Sequence, residues 1–505
     1  MKTCLTESTK ISRRSFLQAL GALTLSGSLA ACGGTEKAKS DRLAAGSLAY
    51  TPDEVVKVEF SDGGITVSPE DAAGLAVEET ALSVSGAGVY ALSGRCADGS
   101  VKVEAQTEDV VLLLDGLTLT SADTAPIVCG ESTGVTIAVV DGTENTLTDS
   151  EANDPDNAAD NENAEKAVVK CKDGSQVVLC GGGALTVNAR GKNGIKSGTA
   201  LDDRDASLTI RELTLNIEAL VNDAINAEQR LKVESGNLTI AAGEDAIHCD
   251  MELNIGAEGT AGPAITVSTC CEGLEGAVLN IHSGNMDITS TDDCLNAANS
   301  DLGDYAFEIN ISGGTIKAYS SEGDGFDSNG TLTITGGDIS VWTANAADNQ
   351  PLDADGRITI SGGTVLAAGG SAGMGFSISA SQPYVAFGGG RDSSLSLAGG
   401  AAFSIADESG KSVLDSTALC DAAFLFYSSP ALTAEGRYSV QPTVTATAKT
   451  GEADPQFGGN GGPGGQRPDG MTPPDGAPSD GQMPQGQPPQ SDGTTPPELP
   501  AASSN

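Results

Sequence analysis

Aromatic side chains are scarce in this chain of 505 residues: they make up 4% of it, and tryptophan occurs once. A broad aromatic platform for stacking flat ligands is therefore not expected. Basic residues are few as well, 27 against 69 acidic ones, which sets the net charge at −42. That excludes nucleic acid as a partner, because binding it requires a basic face. Divalent cations become the natural counter-partners instead. Histidine occurs twice, and the eleven cysteines follow no zinc-ligand spacing. Apart from one stretch near the N-terminus, no apolar run approaches a membrane span.

What is abundant is glycine, 65 residues, which suits a turn-rich chain with a thin aliphatic core and suits a helical bundle badly. The glycines fall inside repeats. Asn222-Asp223-Ala224-Ile225-Asn226 returns as Glu244-Asp245-Ala246-Ile247-His248, then more loosely as Glu272-Gly273-Leu274-Glu275, Asp293-Cys294-Leu295-Asn296, Asp324-Gly325-Phe326-Asp327 and Pro351-Leu352-Asp353. The large apolar member recurs after 22, 27, 21, 31 and 26 residues. A second phrase keeps step: Leu279-Asn280-Ile281, Ile309-Asn310-Ile311, Leu332-Thr333-Ile334 and Ile358-Thr359-Ile360, the last three each followed by a polar residue and a glycine pair. Alternating branched apolar and polar residues predict strands with one buried face, and the glycines predict tight turns at positive φ. Units this short, with no room for a crossover helix, must stack to bury their apolar faces. The expected fold is all-β, a right-handed parallel β-helix with a strand-rich cap and a disordered C-terminal tail.

In order, residues 1–32 read as an export signal. Ser12-Arg13-Arg14-Ser15-Phe16-Leu17 precedes an apolar run ending in Leu29-Ala30-Ala31-Cys32-Gly33, which resembles a twin-arginine signal with a lipobox, making Cys32 the expected lipidated residue. The protein is then exported and lipid-anchored at the cell surface. Residues 33–50 read as a tether and 51–450 as the β-helix body. Within the body, 149–165 is an acidic loop with seven carboxylates, expected to be solvated. From 451 to 505 the chain is Gly, Pro, Gln and Asp, a disordered tail. Phe424, Phe426 and Tyr427 form an expected capping cluster; Trp342 and Tyr319 are the aromatics best placed to meet a sugar, with core or cap an equal alternative for either. The nine body cysteines read mostly as small buried hydrophobes.

Stacking aligns the repeats into two polar columns. One holds Asn193, Asp223, Asp245, Glu272, Asp293 and Asp324; the other holds Lys196, Asn226, His248, Glu275, Asn296, Asp327 and Asp353. Two carboxylates one strand spacing apart repel by roughly 3 kcal/mol at an effective dielectric near 20. Such a run asks for a cation, and Ca²⁺ takes oxygens in irregular geometry. The expected ion ligands are Asp223, Asn226, Asp245, Glu272, Glu275, Asp293, Asn296, Asp324, Asp327 and Asp353. The competing reading makes these residues turn formers bonding backbone.

Ser290-Thr291-Asp292-Asp293-Cys294 looks like the paired-aspartate motif of pectin-hydrolysing glycosidases, but no Asn-Thr-Asp, Gly-His-Gly or Arg-Ile-Lys motif accompanies it. A calcium-dependent pectate lyase would need a basic residue to take a proton, and Lys196, Lys232 and Lys317 are candidates by position alone. Ala125-Pro126-Ile127, Asp141-Gly142-Thr143-Glu144-Asn145-Thr146-Leu147-Thr148-Asp149 and Gly182-Gly183-Ala184-Leu185-Thr186-Val187 with Asn193-Gly194-Ile195 resemble segments of bacterial cell-surface carbohydrate-binding β-helix proteins. The resemblance covers about residues 55 to 370 and the tail. It implies a pectate-lyase-like fold with bound calcium that binds cellulose and acidic pectic polysaccharide, without established catalysis. Where that family carries Gly-Asp-Gly-Ile, several repeats here carry Asn-Asp-Ala-Ile, Glu-Asp-Ala-Ile or Asp-Asp-Cys-Leu, so individual ion sites are open to loss. A lyase, and a surface adhesin or spacer, stand as the alternative functions.

Overall fold

The computed structural model describes residues 43–452 apart from 300–301, 303–304, 345–348, 371–377, 389–394 and 443. The export signal, Cys32 and nearly all of the tail lie outside the described residues. What is described is all-β: the helical elements are two single 3₁₀ turns, Pro52–Glu54 and Glu151–Asn153. A sheet of 34 strands makes up most of the body.

Three parallel ladders organise this sheet. The first joins short strands such as Asn193–Ser197, Ile225–Ala227, Leu295–Ala297 and Phe326–Ser328, each paired in parallel with its counterpart in the next repeat. The second runs through Ser207–Ile210, Arg230–Val233, Glu308–Ile311 and Thr331–Ile334. The third runs through Thr214–Ala219, Asn237–Ala242, Asn285–Ser290, Thr315–Ser320 and Asp338–Thr343. Chain order visits the three ladders in turn, so each repeat adds one rung to each.

The registers follow the sequence phrases. Ile195, Ile225, Ile247, Leu274, Leu295 and Phe326 are successive partners, and Phe326 bridges to Leu352. All seven are at most 1% exposed. Burying each contributes about 1.5–3 kcal/mol, and the apolar stripe is continuous only in this register. The expected left-handed turns occur at the second glycine of each pair, Gly314, Gly337 and Gly363. The first glycine serves close approach: a Cβ on Gly336 would sit 2.1 Å from the Ser312 carbonyl oxygen of the previous repeat.

The ladders end at Phe424–Ser428, which pairs antiparallel with both Thr364–Gly369 and Ile378–Gly388. Phe424, Phe426 and Tyr427 are buried there as the capping cluster. A separate four-stranded antiparallel sheet, formed by Ala402–Asp407, Ser412–Thr417, Arg437–Gln441 and Val444–Thr447, contributes to a second core around Trp342. Trp342 is fully buried, edge-on to Phe403 at 6.0 Å between ring centroids, so it is not the sugar-facing aromatic its position in the repeats suggested.

Two boundaries also differ from the sequence reading. Residues 43–50, placed in the tether, form a hairpin of Leu43–Ala45 and Leu48–Tyr50. Its Ala44 carbonyl accepts from Asp141 N at 2.8 Å, and its Ser47 N donates to Glu212 Oε2 at 2.8 Å. The acidic loop 149–165 is pinned rather than wholly solvated. Asp149 and Asn153 are buried, and Asp149 Oδ1 accepts from Arg190 N at 2.6 Å and Gly191 N at 3.2 Å. Eight body cysteines are free thiols and seven of those are buried, as expected of small hydrophobes.

Candidate functional site

The outward residue of each first-ladder strand sits directly over its counterpart. Lys170, Lys196, Asn226, His248, Glu275, Asn296 and Asp327 are register partners in that order, and Asp353 follows through the Phe326–Leu352 bridge. The second column is therefore continuous, and it grades from basic to acidic along the body. The first column lies in the turns just before these strands. There Ala224 N donates to the Asp245 carbonyl, Ala246 N to that of Glu272, and Gly273 N to that of Asp293.

The ten expected ligands divide into three chemically different groups. Asp223 and Asn226 are satisfied by protein: Asn226 Nδ2 donates to Asp223 Oδ2 at 2.6 Å, and Lys196 Nζ donates to Asn226 Oδ1 at 2.7 Å while pairing with Glu228 at 2.8 Å. Next, Asp245 and Glu275 are held by His248. Its Nδ1 lies 3.2 Å from Asp245 Oδ2 and also contacts Glu275 Oε2, and its Nε2 lies 2.8 Å from Asp250 Oδ1. Burial opposes the charged ring, yet the hydrogen bonds from Asp245, Asp250 and Glu275 outweigh it and raise the His248 pKa far above its ordinary value. The ring thus sits between carboxylates that the sequence argument assigned to a metal ion, and Asp245, His248 and Glu275 together present ligand atoms within 4.8 Å of one another.

The third group runs from Glu272 to Asp353 and has no internal cation of this kind among the described residues. Asp324, Asp327 and Asp353 each present a carboxylate oxygen within 4.8 Å of the others. Burial is the leading cause of a raised pKa throughout, reinforced by neighbouring carboxylates: Glu272 is pushed up to about 9, Asp293 to about 8, Asp324 to about 7 and Asp327 to about 6. Asp353 is raised as well. Two neutral oxygens nearby, Asn296 Oδ1 and Gln350 Oε1, are buried without a hydrogen-bond partner. An orphaned buried acceptor costs about 1–3 kcal/mol. Carboxylates together with amide oxygens are the donor set of a calcium site, so these residues fit that ion, whereas zinc would call for His and Cys.

Turn chemistry takes its share too, within a repeat at Asp353, whose Oδ1 accepts from Ala354 N at 2.8 Å, and otherwise across repeats. Asp223 Oδ1 accepts from Asp245 N at 3.2 Å, Asp293 Oδ1 accepts from Asp324 N at 2.6 Å, and Asp324 Oδ1 accepts from Gln350 N. Both Asp223 oxygens are thereby engaged, since Oδ2 accepts from Asn226, whereas these bonds use one oxygen each of Asp293 and Asp324.

The lysines considered as proton acceptors are scattered. Lys196 is ion-paired within the column, Lys317 pairs with Asp287 at 3.1 Å, and Lys232 lines a different cleft with Asn254 and His282. Lys170, which the repeat phrases did not flag, is the lysine the fold perturbs: burial and the neighbouring Lys196 lower its pKa.

The family model for carbohydrate-binding domain-containing proteins matches residues 78–373, more than half of the chain. A carbohydrate-binding domain-containing protein of Acetivibrio thermocellus is 32% identical over 162 residues, which cover 32% of this chain and 54% of that protein. The chain thus spans about half the length of the curated relative it matches. Among solved structures, the gadolinium derivative of the polysaccharide lyase-like protein from C. thermocellum aligns with 60% of this chain and 94% of its own, at 23% identity and a TM-score of 0.31. By the extent of the family match, this chain belongs to the carbohydrate-binding domain-containing proteins.

Proposed function

We propose that the three ladders wind as a right-handed parallel β-helix that binds an acidic polysaccharide through calcium held at the acidic end of the first ladder. Asp324, Asp327 and Asp353 are the core ligands, with Asp293, Asn296 and Gln350 contributing oxygens from neighbouring repeats. The observation that carries the reading is the clustering of three carboxylate oxygens within 4.8 Å beside two orphaned amide oxygens. A polyanionic glycan approaching a chain of net charge −42 is repelled unless a cation bridges the two. Calcium, with open positions left for sugar carboxylates, supplies that bridge.

The test is a pull-down of the purified protein on polygalacturonate, with calcium and with chelator, assayed in parallel for unsaturated products. Calcium-dependent capture without product release is the expected result, and capture indifferent to chelator sinks the calcium bridge. Lyase chemistry has one observation in its favour, the half-buried Lys170 with its lowered pKa. Unsaturated products that vanish in Lys170→Ala would carry that reading instead.

Export and anchoring are part of the same proposal, from the Arg13-Arg14 signal and Cys32. Cys32→Ala is expected to move the protein from the membrane fraction to the soluble one. Wild-type protein already soluble and cleaved near Ala31 would remove the anchor.

A further inference from the structure

On the outward side of the third ladder, Thr289, Tyr319 and Trp342 are register partners. The four-stranded sheet and its flanking loops cover Trp342 completely, and Tyr319 packs only against the margin of that second core. Tyr319 therefore stands at the edge of the covered region, half-buried, where it lines a cleft of about 170 Å³ with Asp287, Thr289, Lys317 and Leu419. Leu419 is 36% exposed. Within this lining, Lys317 Nζ reaches Asp287 Oδ2 at 3.1 Å and Oδ1 at 3.4 Å.

The geometry points to a subsite here for a neutral hexose unit, separate from the acidic column and independent of calcium. The inference rests on the carbohydrate-binding reading but not on its metal. A phenol ring offers a flat, weakly polar face to the C–H face of a pyranose, and Leu419 adds apolar surface to the same lining. Sites for small polar ligands combine such apolar walls with a few convergent donors and acceptors. Lys317 and Asp287 provide these. Their side chains are 50% and 53% exposed, so the pair itself is worth little, and its remaining donors and acceptors stay available to sugar hydroxyls. The pair sums to zero charge, which selects against a uronate and for an uncharged sugar.

Trp342 is the sole tryptophan and the register neighbour of Tyr319, so its emission reports on this cleft. A linear β-1,4-glucan hexamer is titrated into the full chain in chelator, followed by tryptophan emission and calorimetry. Saturable binding is expected, weakened about tenfold by Tyr319→Ala, the loss of roughly one stacking contact, and within about threefold of wild type in Tyr319→Phe. Leu419→Asp, at an exposed lining residue, is expected to weaken it similarly without shifting the unfolding midpoint, which guards against a misfolded Tyr319→Ala. Binding unchanged in both Tyr319→Ala and Leu419→Asp overturns the subsite. So does an absence of hexamer binding by protein that still captures polygalacturonate with calcium, a result that leaves the calcium reading standing. The reverse pattern, hexamer binding with no calcium-dependent capture, supports the subsite and removes the metal bridge alone.

Discussion

Replacing His248 with alanine is expected to cost about 3–5 kcal/mol of folding stability, the usual loss when one partner of a buried ion pair is deleted and the other left uncompensated. The His248 side chain is 13% exposed, and those of Asp245 and Glu275 are 14% and 17%. Solvent therefore cannot replace the ring. His248→Gln, which keeps hydrogen-bonding capacity without charge, should recover little, whereas His248→Lys should recover much more. Equal midpoints for the glutamine and lysine variants in urea would show that shape, not charge, matters here.

The pH dependence of this loss has a definite sign. The folded-state pKa of His248 is raised above its ordinary value. Its stabilisation is thus fully present below an unfolded pKa near 6.5 and is lost as pH rises through the folded value. In wild type the ring therefore loses nothing up to about pH 6.5, and above it the contribution declines, because the unfolded ring sheds its proton while the folded ring keeps it. Asp245 is pushed up to about 6, with burial the leading cause. Without the imidazolium, burial holds that carboxyl's pKa up still more firmly, so the alanine variant is most stable at low pH and weakens as pH rises. The gap between wild type and His248→Ala should widen from pH 5 to about pH 6.5, where the wild-type ring contribution is still complete and the variant's Asp245 carboxyl is already losing its own. A constant gap would mean that the ring is neutral in the folded protein.

The ladders were legible because strand stacking converts sequence period directly into register. Ile225, Ile247 and Leu274 are the fourth, fourth and third residues of their phrases, and the structure aligns them as partners. The two polar columns followed from the same arithmetic. What stacking could not reveal is which charges neutralise one another. His248 looked like one more column position, and only side-chain geometry places it between Asp245, Asp250 and Glu275. Trp342 failed as a sugar-facing ring for a related reason. Its strand position is outward, but the sheet that covers it begins some sixty residues later, at Ala402, and no local pattern announces that docking. Asp149 was misread as solvated because its partners, the Arg190 and Gly191 amides, belong to the following repeat.

Chelation is expected to lower the unfolding midpoint, and more so at pH 8 than at pH 5. The argument runs through Asp293, Asp324, Asp327 and Asp353, whose carboxyls burial holds above their ordinary range. A carboxyl with a raised folded pKa is favourable while protonated, so its contribution is present at low pH and lost as pH rises through the folded value. For this group that window runs from about 4, the unfolded value, to the value of about 8 reached at Asp293. Calcium acts in the opposite direction, since it binds the ionised form and must displace protons. Its stabilisation, about 2.7 kcal/mol at a hundredfold excess over the dissociation constant, therefore grows across the same window. Magnesium should restore less, because it demands near-octahedral geometry and gives up water reluctantly. Asp327→Asn and Asp353→Asn keep an oxygen in place while removing a charge, and each should raise the calcium concentration for half-recovery about tenfold, equivalent to about 1.4 kcal/mol. The same two substitutions should make the chelated protein less sensitive to pH, because an amide does not ionise. That pairing separates the two readings of the column: a loss of pH sensitivity with no calcium response at any pH would leave these aspartates as buried, protonated members of the turns and nothing more.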